Sequence, residues 1–346
     1  MRRHLNTIYV TTPDAWVRKD GANIVVEVDG AERGRAPIHM IGGIVCFTRA
    51  GMSPALMAAC AEAGVSVSFL APHGRFQGRI EGPRTGNVLL RRAQYRAADD
   101  PAQAIPFARG VVAAKAANQR TVIRRALRDH GARMGEADRE ALELAEARLG
   151  GCARRTLQAG DIATLRGVEG EAANAYFAAF NALIRVDDPA LRFGGRSRRP
   201  ALDRVNALLN FLYALLGHDC RSALESVGLD PQVGLLHADR PGRASLALDL
   251  IEEFRPVLAD RLALSLVNRR QLTAPDFVVD EGGAITLTDA ARRTVLEAWT
   301  ERKKEELRHP FLGEAVTLGL VPHIQAQLLA RHLRGDLDGY PPFLWK

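Results

Sequence analysis

Glu169 lies in the stretch Arg166-Gly167-Val168-Glu169-Gly170-Glu171-Ala172-Ala173. A helical period places Ile162, Leu165, Ala172, Ala173, Tyr176 and Phe180 on its face, an apolar stripe. A carboxylate on such a face is costly to desolvate unless it is paired, protonated or bound to a cation. A salt bridge to a buried arginine would satisfy it, and so would a metal ion. The small residues Gly167, Gly170, Ala172 and Ala173 leave room for a second helix or a ligand to approach. His237 ends the apolar run Val233-Gly234-Leu235-Leu236 and precedes the loop 238–243. An imidazole at a core edge is either a hydrogen-bonded structural group or a ligand. Asp249 and Glu252 are three residues apart in a helical stretch, so they share a face, while Leu246, Leu250, Phe254 and Leu258 take the packed side. That face is either a solvated acidic surface or a functional acid cluster.

Two carboxylates and one imidazole with open positions suit Mg2+ or Mn2+ better than a structural Zn2+, which favours more sulfur or nitrogen. Such an ion polarises a phosphodiester and activates a hydroxyl, so no protein nucleophile is needed. The chain has no G-x-S-x-G elbow, no Cys–His signature and no P-loop, which argues against ATP hydrolysis. The net charge of +7 fits an anionic partner. Arg192, Arg196, Arg198 and Arg199 stand in a Gly-containing loop that either follows a phosphate backbone or is simply solvated. On a helix over 102–127, Lys115, Asn118 and Arg125 share one face, while Arg120 and Arg124 form another. We expect Lys115 and Arg125 to contact DNA and the second face to pair within the molecule. The tail Tyr340-Pro341-Pro342-Phe343-Leu344-Trp345 is aromatic and stiff, and either packs on its domain or docks a partner.

The elements that must position these groups fall into two parts. Residues 1–95 read as β-rich with a linker: strands over 6–12, 16–19, 23–28, 38–47, 65–70 and 75–80, a turn at Pro72-His73-Gly74, and one helix over 53–63. Asp20-Gly21 marks a hairpin. Residues 96–346 read as helical, with helices over 102–127, 136–149, 161–184, 201–216, 245–264, 290–307 and 324–334 and a small hairpin over 276–288. The fold class is α+β, a small β-rich N-terminal domain followed by a larger all-helical catalytic one. Cys46, Cys60, Cys152 and Cys220 are scattered in apolar surroundings without a C-x-x-C pair, as expected for buried reduced thiols. No run of 18 apolar residues and no signal-peptide pattern occurs, so a cytoplasmic location is expected.

These motifs, in this order, resemble the CRISPR-associated adaptation integrase, the first Cas protein. The glutamate motif 166–177 carries the resemblance, together with the passage from Phe193 to Tyr213, Gly234-Leu235-Leu236-His237 and Leu248-Asp249-Leu250-Ile251-Glu252-Glu253-Phe254-Arg255-Pro256. Near the N-terminus, Leu5-Asn6-Thr7-Ile8-Tyr9-Val10, Gly42-Gly43-Ile44-Val45, Ala71-Pro72-His73-Gly74-Arg75-Phe76 and Gly86-Asn87-Val88-Leu89-Leu90-Arg91-Arg92 add to it. The resemblance covers essentially the whole chain and is closest to the type I-C branch. It implies metal binding by Glu169, His237 and Glu252, with Asp249 able to ligate or orient; many relatives have Asp where this chain has Glu252. The implied reaction is spacer integration, in which the 3′-hydroxyl of a short DNA attacks a phosphodiester at a CRISPR repeat boundary. A ligating His237 must be neutral, so activity should fall at acidic pH. The implied partners are double-stranded DNA, a second copy of the chain through the N-terminal domain, the second Cas protein bridging two dimers, and the fourth Cas protein, a nuclease. A nuclease that only cleaves, a non-catalytic DNA scaffold and a metabolic phosphoesterase are the competing readings.

Overall fold

The computed structural model describes residues 6–47, 49–71, 76–82, 88–198 and 200–345. Arg199 and the turn expected at Pro72-His73-Gly74 lie outside them. The chain divides into two compact units, Met1–Thr85 and Gly86–Lys346.

Among the described residues, the first unit holds two four-stranded sheets and one α-helix. In one sheet β1 (Asn6–Val10) runs parallel to β5 (Ile41–Phe47), β5 runs parallel to β7 (Ser66–Leu70), and β8 (Phe76–Ile80) returns antiparallel to β7. The central β5 is an almost unbroken apolar run, as a strand flanked on both sides requires. In the other sheet β2 (Trp16–Asp20), β3 (Asn23–Val28) and β4 (Ala31–Pro37) form a meander, with β6 (Gly51–Met52) parallel to β2. Gly21, at φ +56°, makes the tight turn between β2 and β3. Strand β4 was not expected. It is a polar, exposed edge strand with no alternation to betray it, and only its register against β3 defines it. Helix α1 (Pro54–Ala63) starts at the Ser53 cap and stops at left-handed Gly64. Val17, Ile24, Ile44, Leu56 and Cys60 form the centre of this core.

The second unit contains α2 (Val88–Asp99), α3 (Pro101–His130), α4 (Glu136–Thr156), α5 (Ile162–Ala178), α6 (Arg204–Ser226), α7 (Ser245–Ile251), α8 (Arg261–Asn268), α9 (Asp289–Lys304) and α10 (Val321–Leu333). It begins before residue 96 because α2 is fastened into it. Gln94, fully buried on α2, donates to the carbonyls of Asp230 and Val233 and accepts from the Asp230 N–H. Two short ribbons interrupt the helical character. The first, β9 (Phe277–Val279) with β10 (Ile285–Leu287), is the hairpin expected over 276–288. The second, β11 (Glu306–Arg308) with β12 (Ala315–Thr317), replaces the end of the helix expected to reach 307. Helix α6 starts at the Asp203 cap and runs past residue 216, because Cys220, Ala223 and Leu224 continue its buried stripe.

The stretch 245–264 is not one helix. Pro256 has no N–H, and its ring crowds the carbonyl four residues earlier, so the regular helix stops at Ile251. A wide π-turn over Arg255–Asp260 then leads into α8. Glu252 and Glu253 therefore sit at a break, where consecutive side chains can reach different neighbours. All four cysteines are buried and none is in a disulfide. Among the described residues, no helix is long and apolar enough to cross a membrane.

Candidate active site

Three separate elements converge on one ammonium group. Lys115 comes from α3, Glu169 from α5 and Glu252 from the turn after α7. The Lys115 Nζ pairs with Glu169 Oε1 and lies 2.7 Å from Glu252 Oε2. Glu252 Oε1 lies 2.5 Å from Arg255 Nη1. Lys115 and Glu252 are buried, whereas the Glu169 side chain keeps 25% of its exposure and so stands where the site opens to solvent. The partner of Glu169 is thus a lysine from another helix, not an arginine.

The acids at 249, 252 and 253 are all buried, which rules out a solvated acidic face. Burial alone would raise the Glu252 pKa. The charges of Arg255 and Lys115 outweigh it and hold the group at about 2, so it stays ionised. Its neighbour Glu253 has no cation beside it among the described residues, and burial pushes it up to about 7 despite bonds from the Phe343 N–H, Tyr340 and Gln325. Glu252 Oε2 is buried, yet no well-directed hydrogen bond reaches it, although Lys115 is close. That oxygen retains acceptor capacity for a ligand.

Asp249 is organised differently. Its Oδ2 accepts from the N–H groups of Leu235 (2.7 Å) and Leu236 (3.0 Å). Its Oδ1 accepts from the His237 N–H (2.9 Å) and lies 2.7 Å from His237 Nδ1. The loop 235–237 is therefore wrapped around one carboxylate whose acceptor sites are taken. A carboxylate here accepts, so Nδ1 carries the proton and Nε2 is left for a ligand. Arg166, one helical turn before Glu169, donates through Nε and Nη2 to the Leu236 carbonyl, at 2.9 and 2.6 Å. It ties the helix bearing Glu169 to the loop bearing His237. Gly234 allows the loop to close: a Cβ there would lie 2.7 Å from the His237 carbonyl oxygen and 2.8 Å from the Ser245 Cβ. Gly234→Ala should cost about 1–3 kcal/mol through overpacking and displace His237. Denaturant unfolding measures the first effect and Mn2+ affinity the second; a variant matching the parent in both would contradict the packing argument.

Among the described residues, no three His, Cys, Asp or Glu side chains stand close enough to hold an ion as arranged. The place between Glu169 and Glu252 is taken by the Lys115 ammonium. His237 nonetheless bears electrostatically on Glu252, helping to lower its pKa.

Several residues expected on DNA have other partners. Lys115 points inward, because its face of α3 is packed: Asn118 and Gln119 are buried with it. The Arg125 guanidinium stacks 3.9 Å over the Trp345 ring. Arg196 donates to Asn206 Oδ1 and Asn210 Oδ1, both at 2.7 Å, and so braces its own loop against α6. Arg192 and Arg198 are exposed, with Arg192 only 3.8 Å from Asp187. The expected intramolecular face is present, with Arg120 2.7 Å and Arg124 3.8 Å from Glu146. Sequence reasoning missed a buried group behind the site. Tyr213 donates to Asp260 at 2.6 Å, burial pushes Asp260 up to about 6, and the Arg255 guanidinium lies 5.0 Å from the Tyr213 ring centre. Arg255 is thus held between Glu252 and an aromatic face.

Residues 8–301 match the family model described as CRISPR associated protein Cas1. The chain is 58% identical over 347 residues to the "CRISPR-associated endonuclease Cas1 2" of Rhodospirillum rubrum, covering 100% of both chains. It is 53% identical over 346 residues to the "CRISPR-associated endonuclease Cas1 1" of Chlorobaculum tepidum, again covering 100% of both. Its fold is similar to that of a casposase bound to integration product, with a TM-score of 0.82 at 21% identity, covering 99% of this chain and 95% of that one. With a family match over most of its length and relatives of high identity from end to end, the chain belongs to the Cas1 family of CRISPR-associated proteins.

Proposed function

We propose that this protein is a metal-dependent DNA integrase of CRISPR adaptation, joining the 3′-hydroxyl ends of a short DNA to the CRISPR repeat. The observation that carries this reading is the meeting of Glu169 and Glu252, from distant parts of the chain, around a single cation. An ammonium between two carboxylates stands where a divalent ion would bind. The donor set of Glu169, Glu252 and His237 Nε2 suits Mg2+ or Mn2+. When bound, such an ion stabilises charge on the phosphoryl oxygens and activates the attacking hydroxyl.

The residues themselves divide the remaining work. Glu252, ionised and buried, supplies fixed negative charge. Glu169 supplies a second carboxylate at the solvent edge, where DNA enters. Asp249 holds the His237 ring through Nδ1, so that Nε2 is the ring nitrogen turned to a ligand. Exposed Arg192 and Arg198, with Arg199, contact the phosphate backbone. The strand-rich first unit joins two copies of the chain. The second Cas protein bridges two such dimers, and the fourth Cas protein, a nuclease, joins them.

Loading an ion requires Lys115 to withdraw. Lys115→Met keeps the length and removes the charge, taking the ion-pair partner from Glu169 and leaving Glu252 with Arg255 alone. The metal-free variant should lose about 3 kcal/mol of stability, as when one partner leaves a buried ion pair. Mn2+ should restore most of it. Equal melting of variant and parent, with and without Mn2+, would contradict this role.

Integration itself is tested with end-labelled prespacer and supercoiled CRISPR plasmid, supplied with Mn2+ and the second Cas protein. Label joined to the plasmid is expected. Cleaved fragments without joined product would favour a nuclease that uses water as the nucleophile.

A further inference from the structure

The C-terminal tail is bound where the metal-site elements meet. Asn118 lies on α3 one turn beyond Lys115 and is fully buried. Its Nδ2 donates to the Glu253 carbonyl at 2.8 Å and to the Phe343 carbonyl at 2.9 Å, and its Oδ1 accepts from the Trp345 N–H at 2.8 Å. One amide thus joins α3, the turn bearing Glu252, and the tail. The Glu253 carboxylate grips the tail from the other side, accepting from the Phe343 N–H at 2.7 Å and the Tyr340 hydroxyl at 2.8 Å. Gln325 of α10 closes the clasp, donating to Tyr340 Oη at 2.7 Å and to the Pro341 carbonyl at 2.9 Å.

The apolar contacts follow the same line. Phe343 is buried against Phe254, with ring centres 5.7 Å apart. Two guanidinium groups lie over the Trp345 ring, Arg125 at 3.9 Å and Arg261 at 4.5 Å. Arg125 belongs to α3 and Arg261 starts α8, so the indole also ties α3 to the helix that follows the Glu252 turn. Pro341 and Pro342 stiffen the segment between these anchors, which lowers the entropy lost on docking.

We propose that the segment Tyr340–Trp345 is a positioning element of the metal site, setting the separation of Lys115 on α3 from Glu252. Without the tail, Asn118 keeps only one of its three bonds. The Glu253 carboxylate loses two of its three donors. Both losses fall within one residue or one helical turn of the groups that contact each other at 2.7 Å. The tail acts through Asn118 and the Glu252 turn, to which it is hydrogen-bonded. This inference rests on the metal-site reading above, but its structural half does not depend on it.

The test uses the full-length chain with Asn118→Ala and, separately, Trp345→Ala, together with a chain ending at Gly339. Hydrogen exchange over residues 249–256, Mn2+ affinity, and kcat and KM for strand transfer are measured for each. Asn118→Ala should speed exchange in 249–256 at least tenfold, weaken Mn2+ about tenfold and lower kcat, with KM for DNA changed less than twofold. Trp345→Ala should show the same pattern to a smaller extent. A peptide of residues 339–346 added to the truncated chain should restore slow exchange and Mn2+ affinity. Parent-like exchange and Mn2+ affinity in Asn118→Ala overturn the proposal, and this variant also decides the matter if the truncated chain does not fold. Should the parent itself fail to bind Mn2+, the metal-site reading falls, while the exchange measurement still decides whether the tail orders the Glu252 turn.

Discussion

Glu252→Gln is expected to reduce strand transfer by at least about 100-fold, since removing even an outer partner of a metal ligand typically costs about 10–100-fold. The substitution preserves shape and removes the charge that Lys115 and Arg255 both face. It should also destabilise the fold by about 3–5 kcal/mol, because Arg255 is left buried with its ion pair broken. The pH dependence has a definite sign. The folded pKa of Glu252 lies at about 2, below its ordinary value of 4.5. Its contribution to stability is therefore present above pH 4.5 and lost as the pH falls toward 2. In Glu252→Gln that part of the acid limb should disappear from the unfolding profile. Glu252→Asp keeps the charge and should retain most activity. The decisive measurement is joined product from labelled prespacer, beside denaturant unfolding at several pH values. A Gln variant within twofold of the parent would remove Glu252 from the site.

The second large effect is expected at Asp249. Asparagine offers one acceptor oxygen where the loop 235–237 presents three backbone N–H groups, and its own N–H2 would face donors. Leaving buried donors unsatisfied costs about 1–3 kcal/mol each. Asp249→Asn should therefore lower stability by about 2–4 kcal/mol. It should also free the His237 ring and weaken Mn2+ by about 10–100-fold. His237→Ala separates the two consequences, losing Mn2+ affinity with a smaller stability cost, because the Asp249 bonds to the backbone remain. If Asp249→Asn loses Mn2+ affinity while keeping full stability, Asp249 is a ligand and not the loop's organiser.

How far these roles could be read in advance depended on the range of the interaction. Glu169 and the acids at 249 and 252 stood out through short periodicities, but the helix expected to give Asp249 and Glu252 one face stops at Ile251. The two acids take different partners, the loop 235–237 and the cations Lys115 and Arg255. Lys115 was misplaced for a specific reason. Periodicity put Lys115, Asn118 and Arg125 on one face of α3, but said nothing of whether that face looks outward. This helix is packed on several sides, with Val111, Ala114, Ala116 and Ile123 buried beside Lys115. A charge count then favoured solvent, while the fold placed two carboxylates there. The break at 252–254 was signalled by Pro256, yet its consequence, two adjacent glutamates with opposite pKa shifts, depends on which cations lie within reach.

From the amino-acid order alone came the two-part architecture, the short list of acids with one histidine, and membership in a family of DNA-processing proteins. These are legible because strands, helices and motifs are local, and a motif keeps its residues together in the chain. Only the tertiary structure decided which acid orients His237 and which faces a cation, that Lys115 bridges two carboxylates, and that the tail closes over α3. Lys115 lies 54 residues from Glu169 and Asn118 lies 227 residues from Trp345. Over such separations periodicity carries no information, and burial, charge pairing and hydrogen-bond satisfaction choose the partner.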